Sequence, residues 1–287
     1  MVHNLRPGEA ERMGIGPQTV TAKFPRLVYC GITAFGTRGP RKMQPGYEPL
    51  LQAFGGLISM NGSPDGPPAR MAASLVDQGT AMWTVIGVLS AIHRRQATGR
   101  GAIVDTSLLE TAVAWSANRI HSWINEGKPS ERYGTAHPGL VPYQAFETAD
   151  GLLMICAGND RLFRKMAGAV GHPEWADDPR WTTNRQRLVN RKSLVDAMTE
   201  VLRTRPRAHW IERIERVNVP VAPVNSIPEV AADPHVREIG IIGKVAGTDY
   251  SLVGMPLSID GERPNSGKEA PELGADTEGV LRDVRRN

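Results

Sequence analysis

The sequence contains few of the residues that mark several common protein classes. Its 287 residues include two cysteines, Cys30 and Cys156, and no C-x-x-C pair, which excludes a disulfide scaffold. The longest uncharged apolar run, residues 80–92, is shorter than the roughly 18–20 residues of a membrane-spanning helix and is typical of a buried helix. Residues 1–15 carry charges throughout and do not resemble a secretory signal. We therefore expect a cytoplasmic protein with reduced thiols and no membrane partner.

The common catalytic and ligand-binding motifs are also missing. The sequence has no G-x-x-x-x-G-K-[ST] phosphate loop, no H-E-x-x-H and no G-x-S-x-G, and its seven histidines lack metal-ligand spacing. We expect no metal site. The net charge is +4, but the basic residues are scattered along the chain, so we predict no nucleic-acid binding. A ligand that carries phosphate groups stays possible.

The first half of the chain alternates strand-like and helix-like segments. We predict a strand over 25–32, a helix over 50–60 that breaks at Gly55-Gly56, a helix over 78–96, a strand over 102–105 and a helix over 107–123. The segment His3–Gly8 resembles a loop. This order of elements predicts an α/β fold with helices packed on a sheet.

The second half shows a different pattern. Ala149-Asp150-Gly151 lies between two apolar segments, 143–148 and 152–156, and predicts a β-hairpin. Helices are expected near 161–170, 184–203 and 207–217. We therefore predict a large domain over 1–124, a linker over 125–142, a smaller α+β domain over 143–230 and a C-terminal segment over 231–287.

Asp77 is the residue in this sequence most suggestive of chemistry. It lies between an apolar run and the long predicted helix, so it would occupy the cap or the first turn, where the helix dipole favours an ionised carboxylate. One interpretation is a simple N-cap. The other is a carboxylate nucleophile that forms a covalent acyl intermediate. Spacing alone does not separate the two.

Three further positions near turns carry similar alternatives. Tyr47 follows Pro45-Gly46, which indicates either a half-buried ring in a turn or a ligand contact. Asn4 and Arg12 flank a Pro-Gly turn, where they would serve either as capping and solvated residues or as part of a binding site.

Read together, these segments resemble class III CoA-transferases, the relatives of formyl-CoA and carnitine CoA-transferases. The resemblance begins with Asn4-Leu5-Arg6-Pro7-Gly8 and Arg12-Met13-Gly14. It continues in order through Gly36-x-x-Gly39-Pro40, Gly46-Tyr47-Glu48, Asp77-x-x-Thr80, Thr98-Gly99-Arg100-Gly101, Val104-Asp105, Ala149-Asp150-Gly151 and Gly254-x-Pro256. It covers essentially the whole chain. Glu48 stands where the family more often has aspartate.

The resemblance implies a defined activity. Family members move coenzyme A from an acyl-CoA donor to a carboxylic acid, and the position that matches their aspartate nucleophile is Asp77. The implied route passes through an aspartyl anhydride and an aspartyl-CoA thioester, without a metal. Asn4, Leu5, Arg12 and Tyr47 match positions that line the CoA site, where Arg12 would supply a cation.

The resemblance also implies an architecture. The expected fold is a Rossmann-like large domain, incomplete at its N-terminus, with a smaller α+β domain, in a homodimer of interlocked chains. Residues 231–287 would return to the large domain. Because Asn4 matches an interior position of the family, we expect the chain to lack about the first quarter of a family member.

Two other functions stay open at this point. The related α-methylacyl-CoA racemases use a histidine and an aspartate as acid and base, but their histidine falls where this sequence has Tyr47, which favours the transferase. The remaining alternative is an inactive fragment, or a subunit that needs a partner chain.

Overall fold

The computed structural model describes residues 1–264 and 269–286 and divides the chain into two compact units, residues 1–144 and 145–287. Each unit combines helices with a small sheet, which confirms the predicted mixture of α and β structure. The predicted domain limits at 124, 142 and 230, and the return of residues 231–287 to the large domain, stay predictions.

The first unit contains a three-stranded parallel sheet. Its strands are β1 (Val2–His3), β2 (Val28–Thr33) and β3 (Ala102–Ser107), in the order β1-β2-β3. The middle strand is the most buried, as expected for an apolar run with neighbours on both sides. The predicted loop at His3–Gly8 is wrong at its first residue, because His3 pairs with β2. A strand of two residues leaves no periodic pattern in the sequence.

The first unit also contains seven helices. They are α1 (Glu9–Arg12), α2 (Pro17–Lys23), α3 (Glu48–Phe54), α4 (Leu57–Met60), α5 (Leu75–Thr98), α6 (Leu108–Trp115) and α7 (Ala117–Glu126). The predicted break at Gly55-Gly56 is confirmed, since α3 ends and α4 begins there. The single helix predicted over 107–123 is wrong. It is divided at Ser116, whose hydroxyl donates to the carbonyl of Gly55 at 2.9 Å.

Helix α5 is longer at both ends than predicted and less buried. One face contacts the sheet, where Thr84 and Thr106 join their hydroxyls at 2.8 Å. The opposite face exposes Met82, Val85, Ile86 and Leu89. The expectation of a buried helix is therefore wrong for that face, because the sheet covers only one side. Among the described residues, α5 is also the one helix whose length and composition would let it cross a membrane, a test that core helices of globular proteins pass too.

A small apolar core holds the first turn of α5 in place. Phe35, Leu51, Leu57, Val76 and Ala112 pack together there and are each at most 9% exposed. They belong to the segment after β2 and to α3, α4, α5 and α6. The residue that follows Val76 is Asp77, so this core fixes the backbone on which the candidate nucleophile stands.

The second unit is built on a different sheet. Its strands are β4 (Tyr143–Glu147), β5 (Leu152–Cys156) and β6 (Val221–Pro223), in the order β4-β5-β6. The pairing of β4 with β5 confirms the predicted β-hairpin around Asp150-Gly151. The first two residues of β4 belong to the first unit of the chain. The helices are α8 (Asp160–Ala169), a 3₁₀ turn at Pro173–Ala176, α9 (Asn184–Val189), α10 (Arg191–Leu202) and α11 (Arg207–Glu215). The single helix predicted over 184–203 is wrong, since it divides at Asn190.

The rest of the second unit consists of short elements. They are α12 (Ile227–Ala232), α13 (Pro234–Glu238), a hairpin of β7 (Ile242–Lys244) and β8 (Ser251–Val253), and α14 (Thr277–Arg286).

Candidate active site

The first turn of α5 opens onto a cavity of about 350 Å³. Its walls come from the segment after β1, the C-terminal end of β2, the loop before α3 and the start of α6. Four of the five residues predicted for the site line this cavity: Asn4, Leu5, Tyr47 and Asp77. They come from three parts of the sequence, and the parallel sheet brings them to one edge.

Arg12 is the predicted site residue that does not line this cavity. It ends α1, its side chain is 77% exposed, and its Nη2 lies 3.6 Å from Oε1 of Glu9. An exposed ion pair of this kind holds the guanidinium weakly. Its assignment to the CoA site stays a prediction.

Asp77 is the third residue of α5 and is exposed to solvent. The expectation that it lies in the first turn is confirmed, but its interpretation as the N-cap is wrong, because Ser74 holds that position. The pKa of the Asp77 carboxyl is raised, first because nearby protein removes part of its hydration and then because the Glu48 carboxylate repels its charge. The net direction is opposite to the one expected from the helix dipole alone.

The buried Glu48 side chain is a feature of the site to which the sequence pattern assigned no role. Its Oε1 accepts hydrogen bonds from Nε2 of Gln52 at 2.7 Å and from the backbone N–H of Val76 at 3.2 Å. Gln52 in turn exchanges two hydrogen bonds with the backbone of Met71, at 3.2 and 3.0 Å. Helix α3 therefore holds both the loop that leads to α5 and the first turn of α5. The i, i+4 spacing of Glu48 and Gln52 was the available signal.

Tyr47 stands at the N-terminal end of α3 and is 82% exposed. The alternative of a half-buried ring in a turn is therefore wrong. The preceding Gly46 allows the loop to lie against the core, since a Cβ on Gly46 would lie 2.7 Å from both Ala34 Cβ and Leu51 Cδ2. The exposed Tyr47 ring lies at the edge of the cavity.

A second cavity, of about 340 Å³, adjoins the first. The two share Leu5, Arg6, Pro7 and Thr33, so the segment after β1 separates them. The backbone of this segment is held locally, because the N–H of Leu5 donates to Nδ1 of His3 at 3.2 Å. A ligand that extends from Asp77 along Leu5–Pro7 would reach the second cavity.

The second cavity contains a polar slot on one face of the sheet. His3, Gly31 and Asp105 are register partners across β1, β2 and β3, and the missing side chain of Gly31 leaves a gap between the other two. A Cβ on Gly31 would lie 3.6 Å from both His3 Nε2 and Asp105 Oδ1.

Two polar atoms in this slot are buried without a hydrogen-bond partner among the described residues: His3 Nε2 and the hydroxyl of Tyr29. Because Nδ1 of His3 accepts a backbone N–H, Nε2 carries the proton and is a free donor. Burial, followed by the nearby Glu11 and Asp105 carboxylates, raises the pKa of Tyr29, so its hydroxyl is also a donor. Unpaired buried donors of this kind are unfavourable until something accepts from them.

No group of three or more His, Cys, Asp or Glu side chains that could hold a metal ion occurs within residues 1–264 and 269–286. The site brings together the exposed Asp77 carboxylate and the exposed Tyr47 ring, with two unpaired buried donors in the adjoining cavity.

Comparison with known proteins identifies the class to which this fold and site belong. Among solved structures, a CaiB/BaiF family protein from Brucella suis matches with a TM-score of 0.86 and 29% identity, over 99% of this chain and 74% of that one. The model of CoA-transferase family III matches residues 1–277. The chain belongs to CoA-transferase family III, a family of enzymes, which confirms the resemblance seen in the sequence and its mixed α/β fold.

Relatives of this chain carry transferase names. The acetyl-CoA:oxalate CoA-transferase of Acetobacter aceti is 34% identical over 275 residues, which are 95% of this chain and 70% of that protein. The succinyl-CoA:glutarate CoA-transferase of Mus musculus is 31% identical over 288 residues, 99% of this chain and 66% of that protein. The chain thus spans about two thirds of the length of these relatives.

Proposed function

We propose that this protein transfers coenzyme A from an acyl-CoA to a carboxylic acid, with Asp77 as the nucleophile. The observation that carries the proposal is the placement of Asp77 in the first turn of α5, facing a cavity that Asn4, Leu5 and Tyr47 also line. Membership of CoA-transferase family III supports the reaction class.

The proposed reaction has two matched halves. An oxygen of the Asp77 carboxylate attacks the donor thioester, which gives an acyl-aspartyl anhydride and CoA thiolate. The thiolate attacks the aspartyl carbonyl, giving an aspartyl-CoA thioester and releasing the first acid. The acceptor carboxylate then attacks this thioester, and the returning thiolate attacks the acceptor carbonyl. Acyl-CoA leaves and Asp77 is again a carboxylate. Covalent catalysis divides one difficult exchange into easier steps.

The environment of Asp77 suits this role. A raised pKa makes the carboxylate a stronger nucleophile, and an ordinary aspartate value of about 3.9 leaves ample room for it to stay ionised at neutral pH. The exposed side chain can also be reached by a bulky thioester.

We propose that the CoA arm runs along Leu5–Pro7 from the first cavity into the second. There its amide carbonyls would accept from Nε2 of His3 and the hydroxyl of Tyr29, the two buried donors that lack partners in the described structure. Arg12, free to move in solvent on α1, would meet the phosphate end.

We further propose a dicarboxylic acid as the acceptor. The names of the Acetobacter and mouse relatives specify oxalate and glutarate. In this chain Arg6 lines the same cavity as Asp77 and would pair with the second carboxylate.

We propose that the protein is a cytoplasmic homodimer. The exposed apolar stripe of α5, formed by Met82, Val85, Ile86 and Leu89, has the i, i+3, i+4 spacing of a face that packs against another surface. A second copy would cover it. Sedimentation of the wild type and of Ile86→Glu tests this, since the variant should shift toward monomer.

The function is tested by trapping. Wild-type protein incubated with acetyl-CoA and hydroxylamine should acquire a hydroxamate on the peptide that contains Asp77, and Asp77→Asn should not. Exchange of α-protons into deuterated solvent without CoA transfer would instead indicate a racemase. Failure to bind CoA in calorimetry would indicate an inactive fragment or a subunit that needs a partner.

A further inference from the structure

We propose that Glu48 is a positioning residue for the transfer reaction. Its buried carboxylate accepts a hydrogen bond from the first turn of α5 and repels the charge of the Asp77 carboxylate, so that acylation of Asp77 relieves the repulsion. This inference rests on the proposed function, because it assumes that Asp77 is the nucleophile.

The positioning half follows from the hydrogen bonds. The N-cap residue Ser74 makes no side-chain hydrogen bond to the helix, so the free N–H groups at the start of α5 need another acceptor. Glu48 supplies it from a different helix, through Oε1 and the N–H of Val76 at 3.2 Å. With its side chain 5% exposed, Glu48 is fixed by packing as well. Asp77 follows Val76 directly, so its backbone cannot shift without breaking this contact.

Gln52 fixes the loop that leads to α5 in the same way. It donates to Met71 and accepts from it, while it also donates to Glu48 at 2.7 Å. The chain that enters α5 is therefore tied to α3 at two points, Met71 and Val76. Rigid placement of a nucleophile is worth much in catalysis, since a displacement of about 1 Å can slow a reaction by about 100-fold.

The repulsion between Glu48 and Asp77 follows from their placement, since both carboxylates lie at one cavity. Glu48 and Asp77 both line it, and Glu48 raises the pKa of Asp77 by repulsion. Arg6 and Tyr47 are the other charged or titratable side chains of the described residues that line it. The negative charge of Glu48 repels the free Asp77 carboxylate, whereas the anhydride and the thioester on Asp77 are neutral and are not repelled. The charge of Glu48 therefore favours the acylated states over the free enzyme.

Two variants separate the halves. Glu48→Gln keeps an oxygen that can accept from Val76 but removes the charge, while Glu48→Ala removes both. The matched control is Glu229→Gln in the second unit, where the carboxylate likewise accepts a backbone N–H at a helix start, from Ser226 at 2.7 Å. Circular dichroism and thermal unfolding verify that each full-length variant folds.

The measurement is the rate at which acetyl-CoA forms the covalent adduct on Asp77 in a single turnover, as a function of pH. We expect Glu48→Gln to lower the rate about tenfold, because acylation then relieves no repulsion. The acid limb of the profile should move to lower pH, because Glu48 no longer raises the pKa of Asp77. Glu48→Ala should lower it by about 100-fold. Glu229→Gln should match the wild type.

The outcomes distinguish this inference from the function on which it rests. If the wild type forms no adduct on Asp77, the proposed function fails and this inference fails with it. If the wild type forms the adduct and Glu48→Gln forms it at the same rate with the same acid limb, the role of Glu48 alone is overturned. Because Glu48→Gln keeps the hydrogen-bond acceptor, that result stands even if Glu48→Ala fails to fold.

Discussion

The buried carboxylate of Glu48 and the backbone N–H of Val76 form a hydrogen bond of 3.2 Å, immediately before Asp77 in the chain. The contact joins α3 to the first turn of α5, two helices that are separated in the sequence by α4 and a long loop. It explains why the exposed Asp77 can have a defined position and a raised pKa. The first turn of its helix is held by a hydrogen bond to α3, and the carboxylate of Glu48 lies nearby.

Replacing Asp77 by asparagine should stabilise the fold. The pKa of Asp77 is raised above 3.8 in the folded state, so protonated Asp77 favours folding. This contribution to the free energy of unfolding is fully present below pH 3.8 and is lost as the pH rises through the folded-state pKa. Asp77→Asn removes that loss. Since the side chain is exposed, we expect a gain of about 0.5 kcal/mol near pH 7. Urea unfolding at that pH and near pH 4 measures it.

The gain should be smaller near pH 4, while catalysis should be abolished at both pH values. A loss of stability in Asp77→Asn near neutral pH would contradict the assigned direction of the pKa shift.

The close approach at Gly46 should not tolerate a methyl group. A Cβ there would lie 2.7 Å from Ala34 Cβ and Leu51 Cδ2, so Gly46→Ala forces the loop away from the core. We expect a loss of about 1–3 kcal/mol in urea unfolding, as for other overpacked sites, together with a lower rate of transfer because Tyr47 is displaced.

Gly168 is the control for that variant. It lies within α8, and a Cβ added there would have no atom of another residue within 4 Å beyond its own helical turn, so Gly168→Ala should be neutral or stabilising. Equal stability of the two variants would refute the steric account of Gly46.

The fully buried Arg187 should be essential to the second unit. Its guanidinium donates to the carbonyls of Trp181 and Gly158 and to Asp160, at 2.8–3.0 Å, and lies 4.4 Å from the ring centre of Phe163. Arg187→Ala removes these hydrogen bonds and the contact with Phe163, and it leaves a cavity in place of a buried side chain. We expect a loss of about 3–5 kcal/mol in the free energy of unfolding.

Arg185 lies on the same helix, α9, and is exposed, so Arg185→Ala should change the stability little. A small effect at Arg187 would mean that the buried charge contributes less than its contacts indicate.

The hydroxyl of Tyr29 should serve binding rather than folding. It is buried without a partner among the described residues, so Tyr29→Phe removes an unpaired group and should leave the melting temperature unchanged or raised. If the slot holds the CoA arm, the same variant should weaken CoA binding by about tenfold in calorimetry, the loss of one hydrogen bond of about 1.4 kcal/mol.

Unchanged CoA affinity in Tyr29→Phe would remove the slot from the proposed CoA path without affecting the role of Asp77.

Much of the fold could be predicted because its signals are local. The buried strand β2, the break between α3 and α4 at Gly55-Gly56 and the Asp150-Gly151 hairpin each follow from short patterns. The errors arise where a distant contact decides. Ser116 divides a helix through a hydrogen bond to Gly55, and His3 joins a strand only because β2 lies beside it.

The site divides in the same way. Asp77 could be found because an acid before a long apolar helix is visible in the sequence, and the family resemblance assigned its role. Glu48 could not be given a role, because its partner Val76 lies 28 residues away and the bond depends on how α3 packs. The exposure of α5 also depends on how far the sheet extends, which no helical pattern reports.

Transfer of oxygen from the acceptor acid to Asp77 tests the central claim most directly. In the proposed route one acceptor oxygen remains on the Asp77 carboxylate after each turnover. Wild-type protein incubated with acyl-CoA and a carboxylic acid labelled with oxygen-18 should therefore carry the label on the peptide that contains Asp77, as read by mass spectrometry. CoA transfer without label on that peptide would contradict the account.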